Sequence, residues 1–152
     1  MAKIFISLGS NIEPERHLKA ALTDLDYHFE QLELSSVFES EAVGFDGTNF
    51  LNMVVAAETE LSIAEVVSTF KQIEQDHGRV KGAKKFAPRT LDLDLLLYDD
   101  IVSSQLIELP RAEILYNAFV LWPLAEVAPS LLHPAVNQSY QTLWDNYDKQ
   151  QQ

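Results

Sequence analysis

Leu91-Asp92-Leu93-Asp94-Leu95-Leu96-Leu97-Tyr98 is the stretch on which the fold turns. Apolar and acidic residues alternate from Leu91 to Leu95, and the run is then apolar to Tyr98. That is the pattern of a β-strand half-buried at its start and more deeply buried beyond. Strand side chains alternate between faces, so Asp92 and Asp94 project the same way, with roughly 6.5–7 Å between their α-carbons. Two carboxylates so placed repel one another unless a cation or a basic group lies between them. Just upstream, residues 79–89 carry Arg79, Lys81, Lys84, Lys85 and Arg89 and no acid. Either feature alone is ordinary, since an Asp-x-Asp can be a solvated strand edge and a Lys-rich loop a merely soluble one. Together they favour a site, because Asp is poorly suited to strand interiors and occurs twice on one face. A carboxylate pair beside a cationic loop suits a metal-bound polyphosphate: the metal needs oxygen ligands and the phosphates need positive charge.

Composition sharpens that reading. The chain has only 11 Lys and Arg against 23 Asp and Glu, a formal net charge of −12. Such a balance argues against duplex nucleic acid or an anionic membrane as partner. An acidic protein that gathers scarce positive charge in one loop is expected to handle a small anion there. At 152 residues the chain is expected to form one domain, residues 1–152, with enough length to bury a core. The absence of cysteine excludes disulfides and thiolate metal sites and fits a reducing compartment. The apolar run at residues 4–8 is too short for a signal peptide, and no segment approaches a membrane span. An intracellular, cytoplasmic protein is expected. Nothing in the sequence sets the oligomeric state.

Taken in order, residues 3–8 form a first strand, ended by the turn signal Gly9-Ser10-Asn11. Pro14 suits a helix start, and Leu18, Ala21, Leu22 and Leu25 recur at helical spacing, predicting a helix from 14 to about 32. Residues 33–40 make a second strand, 41–48 a loop, and 50–59 a third strand. Ser62 is an N-cap with Glu65 three residues on, the capping-box pattern. The helix it opens carries Ile63, Val66, Val67, Phe70 and Ile73 at core spacing and ends before Gly78. The basic loop and the Asp-x-Asp strand follow. The order β-α-β-β-α-β is the split βαβ pattern of a ferredoxin-like α+β sandwich. Residues 101–108 are expected to add a hairpin strand. Short helices and loops follow, punctuated by Pro110, Pro123, Pro129 and Pro134, with a last helix within 138–147. His17, His28, His77 and His133 show no metal-ligand spacing and are expected to be surface or packing residues. Trp122 and Trp144 are expected to be core or docking residues.

The motif Phe86-Ala87-Pro88-Arg89-Thr90-Leu91-Asp92-Leu93-Asp94-Leu95-Leu96-Leu97-Tyr98 resembles the signature of the hydroxymethyl-dihydropterin pyrophosphokinases of folate synthesis. So do Leu8-Gly9-Ser10-Asn11, Phe50-Leu51-Asn52, Glu74 with Gly78-Arg79-Val80, and Phe119-Val120-Leu121-Trp122-Pro123-Leu124 with Glu126. The resemblance runs along nearly the whole chain and implies the ferredoxin-like core. It also implies a reaction, in which the substrate's hydroxymethyl oxygen attacks the β-phosphorus of MgATP, diphosphate moves to the pterin and AMP leaves. Asp92 and Asp94 would hold two Mg²⁺ ions bridging the triphosphate. Arg79 and Arg89 would contact phosphate oxygens, with Lys81 adding charge but not the two-pronged guanidinium geometry. Glu74 and Leu95 would lie against the nucleotide. Phe50 and Phe119, which by residue type alone would be core, would sandwich the pterin ring. Asn52 would pair with the ring's amide-like edge, completed by groups near Ser40 and Val43. Asn52 is an independent hint, since a buried Asn in an otherwise apolar strand needs partners, and a ligand can be one.

Two positions depart from the family's pattern. Arg111 follows Pro110 where His is usual, and Asn117 stands where an Arg is usual. Arg111 would reach the same triphosphate by different geometry or be a surface charge. These departures motivate a rival reading, a relative that keeps the pterin and nucleotide pocket but serves as a binding module. A third, an acylphosphatase-like or nucleic-acid-binding ferredoxin fold, explains neither the paired Asp nor the acidic charge.

Overall fold

The structure, a computed structural model, describes residues 1–41, 49–78 and 91–151. Its elements are β1 (Ala2–Ser10), α1 (Pro14–His28), β2 (Glu30–Leu34), β3 (Phe38–Ser40), β4 (Phe50–Thr59), α2 (Ile63–Asp76) and β5 (Asp92–Tyr98). After these come a 3-10 turn (Ala112–Leu115), α3 (Ala118–Val127), α4 (Tyr140–Asp145) and a final 3-10 turn (Lys149–Gln151). The sheet runs β2-β4-β1-β5, antiparallel throughout, with β3 also paired to β4. This is the ferredoxin-like α+β arrangement the strand order predicted.

The period-2 pattern of the central strands sorts the core into two layers. Ile4, Ile6 and Leu8 of β1, Met53, Val55 and Ala57 of β4, and Leu91, Leu93 and Leu95 beside them face α1 and α2. Those helices return Leu18, Ala21, Leu25, Val66, Phe70 and Ile73. Phe5, Val54, Ala56, Leu96 and Leu97 face the other way, against Ile114, Val120, Leu121 and Leu124 of the C-terminal elements. The C-terminal segment thus roofs part of the second sheet face. The β1 and β5 ladder shifts register between Phe5 and Ile6, since Phe5 pairs with Leu97 and Ile6 with Leu95. Leu96 is the extra residue, a bulge that turns both Leu96 and Leu97 toward the second core.

Several boundaries differ from expectation for identifiable reasons. The helix predicted to reach about 32 ends at His28, because Phe29 takes extended backbone and buries its ring against Phe70 at 5.9 Å. Leu32 belongs to β2 instead. The strand expected over 33–40 is broken in two. Ser35 donates its N–H to the Val54 carbonyl and accepts the Val54 N–H on its hydroxyl, while the Ser36 N–H is taken by Glu126 of α3. The strand expected at 101–108 does not form; there is a single bridge, Ser103 to Leu109. β1 runs through Gly9 and Ser10 rather than turning there, whereas β4 matches the expected span. The capping box of α2 is present in both halves: the Ser62 hydroxyl accepts from Glu65 N–H and the Glu65 carboxylate from Ser62 N–H. The last helix is shorter than its window, Tyr140–Asp145, and is capped by Ser139.

Candidate active site

Directly opposed residues in an antiparallel ladder share a face. Phe38 is opposed to Asn52, Asn52 to Gly9, and Gly9 to Asp92. These four therefore form a row across four strands on the face that α3 only partly covers. Val54, Ser7 and Asp94 form the next row, and Ser40 opposed to Phe50 the one on the other side. Asp92 and Asp94 thus share one face, as the alternation required, and both are half-buried. Neither is sealed in hydrocarbon, and Asp94 keeps 37% of its side chain exposed.

Sheet geometry places the two ends of the first row apart in a useful way. Two strand spacings separate Asn52 from Asp92, roughly 10 Å. Between them lies Gly9, where a Cβ would come within 3.4 Å of the Asn52 Oδ1. The missing side chain leaves the floor low between the amide and the acid. Asn52 donates to the Ser40 hydroxyl at 2.9 Å and, at the 3.5 Å limit, to the Phe38 carbonyl. Both contacts use the amide nitrogen, so they fix the amide plane and turn its oxygen toward Gly9.

One wall is aromatic. Phe38 stacks on Trp122 of α3 at 4.5 Å, Trp122 on Trp144 at 5.1 Å, and Trp144 on Tyr147 at 5.7 Å. The Lys149 ammonium sits 4.3 Å over the Trp144 ring. Phe119 is half-buried on the first turn of α3, the helix that lies against β4 and β3. Its N–H is capped by Asn117 Oδ1 at 3.0 Å.

Glu74 lies half-buried on α2 rather than on an open helix surface, and its carboxylate accepts the Leu93 N–H at 2.8 Å. Among the described residues β5 is the last strand of the sheet, and this bond satisfies one of its outward donors between the two acids. Leu95 needs a correction as to how it could act. It is 2% exposed in the core against α1 and α2, so its side chain points away from the acid pair. Any nucleotide contact from Leu95 would come from its backbone.

Arg111 is brought to the pair by the bulge. Its N–H donates to the Leu96 carbonyl at 3.0 Å, just beyond the cis Leu109–Pro110 peptide. The guanidinium then reaches back to Asp94 Oδ1 at 3.4 Å and Glu113 Oε1 at 3.1 Å. Burial works against its charge, but Asp94 and Glu113 outweigh burial and hold the pKa above its ordinary value. Asn117, besides capping α3, donates to Glu113 Oε2 at 3.2 Å. Val43, Arg79, Lys81, Lys84, Lys85, Phe86 and Arg89 lie outside the described residues.

The oxygen-only donor set fits magnesium. Among the described residues no cluster of three or more His, Asp or Glu side chains is suited to hold a metal ion. Mg²⁺ commonly takes one or two carboxylates and completes its shell with substrate phosphates and water, which two half-exposed aspartates allow. Sequence reading missed Phe38 and Glu113 as parts of this surface, and it named Trp122 only as a core or docking residue within the family-like motif. Glu113 left one trace, an opposite charge two residues from Arg111. The histidines also pair unexpectedly: His17 Nδ1 lies 2.7 Å from His77 Nδ1, and His77 Nε2 3.3 Å from Asp24.

A family model described as 7,8-dihydro-6-hydroxymethylpterin-pyrophosphokinase matches residues 5–129. The chain is 35% identical over 137 residues to a 2-amino-4-hydroxy-6-hydroxymethyldihydropteridine pyrophosphokinase of Aquifex aeolicus, covering 88% of this chain and 85% of that one. It is 39% identical over 129 residues to the protein of the same description from Bacillus subtilis, covering 81% and 76%. Among solved structures, wild-type Plasmodium falciparum HPPK-DHPS with SDX-DHP superposes with a TM-score of 0.75 at 12% identity, over 97% of this chain and 44% of that chain. This chain thus spans under half the length of that protein, and a likeness at such identity speaks to the fold alone. No helix among the described residues is long and apolar enough to cross a membrane. With its motifs in order along the sequence and its acid pair on the open sheet face, the chain belongs to the 7,8-dihydro-6-hydroxymethylpterin-pyrophosphokinase family.

Proposed function

We propose that this chain, as one cytoplasmic domain, transfers diphosphate from MgATP to the hydroxymethyl group of 6-hydroxymethyl-7,8-dihydropterin and releases AMP, a step of folate synthesis. The observation that carries the reading is the row Phe38, Asn52, Gly9, Asp92 on one sheet face. It sets an amide reader and an aromatic wall about two strand spacings from a carboxylate pair. A flat pterin at one end then brings its hydroxymethyl group toward a triphosphate at the other.

Each residue has a physical task. Asn52, its nitrogen tied to Ser40, presents its carbonyl oxygen to the N–H groups of the pterin edge. Phe50 and Phe119 take the two ring faces, and Val43 contributes at the edge. Asp92 and Asp94 would hold two Mg²⁺ ions. What magnesium supplies there when bound is neutralisation of the triphosphate and withdrawal of charge from the β-phosphorus. Arg79, Lys81, Arg89 and Arg111 supply cations to phosphate oxygens, and Glu74, with the Leu95 backbone, borders the nucleotide. The transfer is in line: the bond from the hydroxymethyl oxygen to the β-phosphorus forms as the bond from that phosphorus to the oxygen bridging the α-phosphorus breaks, AMP leaves with that oxygen, and the hydroxyl proton is released to water. Such transfers need little covalent help, so positioning and charge carry the rate.

One observation favours the rival binding-module reading. Asn117 is committed to capping α3 and to Glu113, and offers no guanidinium to the leaving group. Incubation with ATP, Mg²⁺ and the hydroxymethyl pterin decides between the two. AMP release that requires all three supports the transferase; tight binding of both substrates with no AMP supports the binding module.

A further inference from the structure

The Arg111 guanidinium divides its contacts between two acids of different standing. Its Nε is held by Glu113 at 3.1 Å, and its Nη2 touches Asp94 at the longer 3.4 Å. Glu113 is itself held by the Asn117 amide at 3.2 Å, and the Arg111 backbone is fixed to Leu96 at 3.0 Å. The Nε end is therefore an anchored pivot, and the Nη2 end is the contact that gives way first. Asp94 and Arg111 are both about a third exposed, 37% and 35%, so the pair is open to solvent and to ions. A divalent cation at Asp94 would stand within a few ångströms of a fixed positive charge, and the two cations compete for one carboxylate.

We infer that Arg111 is a resident counterion of Asp94 that a divalent cation must displace, and that the triphosphate eases the exchange by taking the released guanidinium. This rests on the reading of Asp92 and Asp94 as a metal cradle. Its consequence is an order in the loading of the site. The ligand-free protein holds divalent ions weakly, because Asp94 already has a partner. Metal and nucleotide reach it best together, since phosphate oxygens satisfy the arginine that the metal evicts. A guanidinium pivoting on Nε suits such an exchange, having further donors to offer while one stays bound.

The experiment titrates Mn²⁺ into the ligand-free full chain, reading free ion by electron paramagnetic resonance, and separately measures MgATP affinity by calorimetry. Half-exposed ion pairs are weak, so Arg111→Ala is expected to bind Mn²⁺ roughly three- to tenfold more tightly than wild type. The same variant is expected to bind MgATP more weakly. Arg111→Lys, which keeps the charge, should fall between them for Mn²⁺. Lys3→Ala, at the opposite end of β1, removes an equal charge and should leave both affinities within twofold. An Arg111→Ala affinity for Mn²⁺ equal to or weaker than wild type overturns the inference, as does undetectable Mn²⁺ binding to both proteins. Should that variant fold poorly, Arg111→Gln carries the same comparison. The double variant Asp92→Asn with Asp94→Asn separates the two levels. If it binds Mn²⁺ like wild type, the cradle reading itself falls. If it loses Mn²⁺ while Arg111→Ala gains nothing, only the counterion role falls.

Discussion

Asn52→Ala should weaken pterin binding selectively, and the structure sets the size of the effect. The Asn52 nitrogen is occupied by Ser40 at 2.9 Å and reaches the Phe38 carbonyl only at 3.5 Å. Among the described residues no hydrogen bond to its oxygen is formed, so that oxygen is the group offered to a ligand. In the proposed pose, truncation would remove one or two hydrogen bonds to the pterin edge and leave the matching ring donors facing methyl and backbone. An unmet buried donor costs about 1–3 kcal/mol. That is a loss of roughly 5- to 150-fold in pterin affinity, with the centre of the range near thirtyfold. The proposed nucleotide subsite at Asp92 and Asp94 lies two strand spacings away, so MgATP affinity should stay within about twofold of wild type. Loss of the tie from β4 to β3 should also lower stability by about 0.5–1.5 kcal/mol, visible in urea unfolding. Calorimetric titration of each ligand in turn reads the effect. Equal loss of pterin and MgATP affinity, or unchanged pterin affinity, would refute the assigned role.

Two other expectations follow from particular contacts. Asn117→Arg restores a guanidinium but deletes the cap on α3, so stability should drop by about 1 kcal/mol while turnover changes only modestly if Arg111 already serves the phosphates; a rise of orders of magnitude in AMP release would show that it does not. His133 is buried, and its Nδ1 accepts the N–H groups of Ala135 and Val136 at 3.1 and 3.2 Å, so burial holds its pKa below 6.5. His17 is lowered as well, by burial first and then by His77 and Arg16, against an opposing Glu13. The unfolded chain therefore takes up these protons first as pH falls through 6.5, and stability should decline from pH 7 toward 5. His133→Asn, whose Oδ1 can accept the same two N–H groups, should keep stability at pH 7 and shrink that decline; an unchanged pH dependence in urea midpoints would contradict this.

Where local chemistry decided the structure, the sequence was readable. The Ser62 and Glu65 capping box placed the start of α2, and the apolar run of β4 placed both its ends. Period-2 alternation put Asp92 and Asp94 on one face without any knowledge of their surroundings. The failures were tertiary. Leu32 continues a helical spacing, but burial of Phe29 against Phe70 turns the chain four residues earlier. Ser35 splits an edge strand because its hydroxyl competes for the Val54 N–H, which no period reveals. The aromatic wall joins residues 38, 122, 144 and 147 through space, so its stacking has no sequence signal. The reach of Arg111 to Asp94 depends on a bulge at Leu96, inside a run of leucines that gives no sign of it.

The central claim is that the neighbouring acids on β5 hold the metal on which diphosphate transfer depends. Its most direct test is AMP formation from ATP by wild type, Asp92→Asn and Asp94→Asn, each with saturating pterin and a Mg²⁺ titration. Wild type should form AMP and diphosphorylated pterin in equal amounts, and each variant should lose about a hundredfold or more in turnover while still binding the pterin. Variants that turn over like wild type at the same Mg²⁺ concentration would contradict the account.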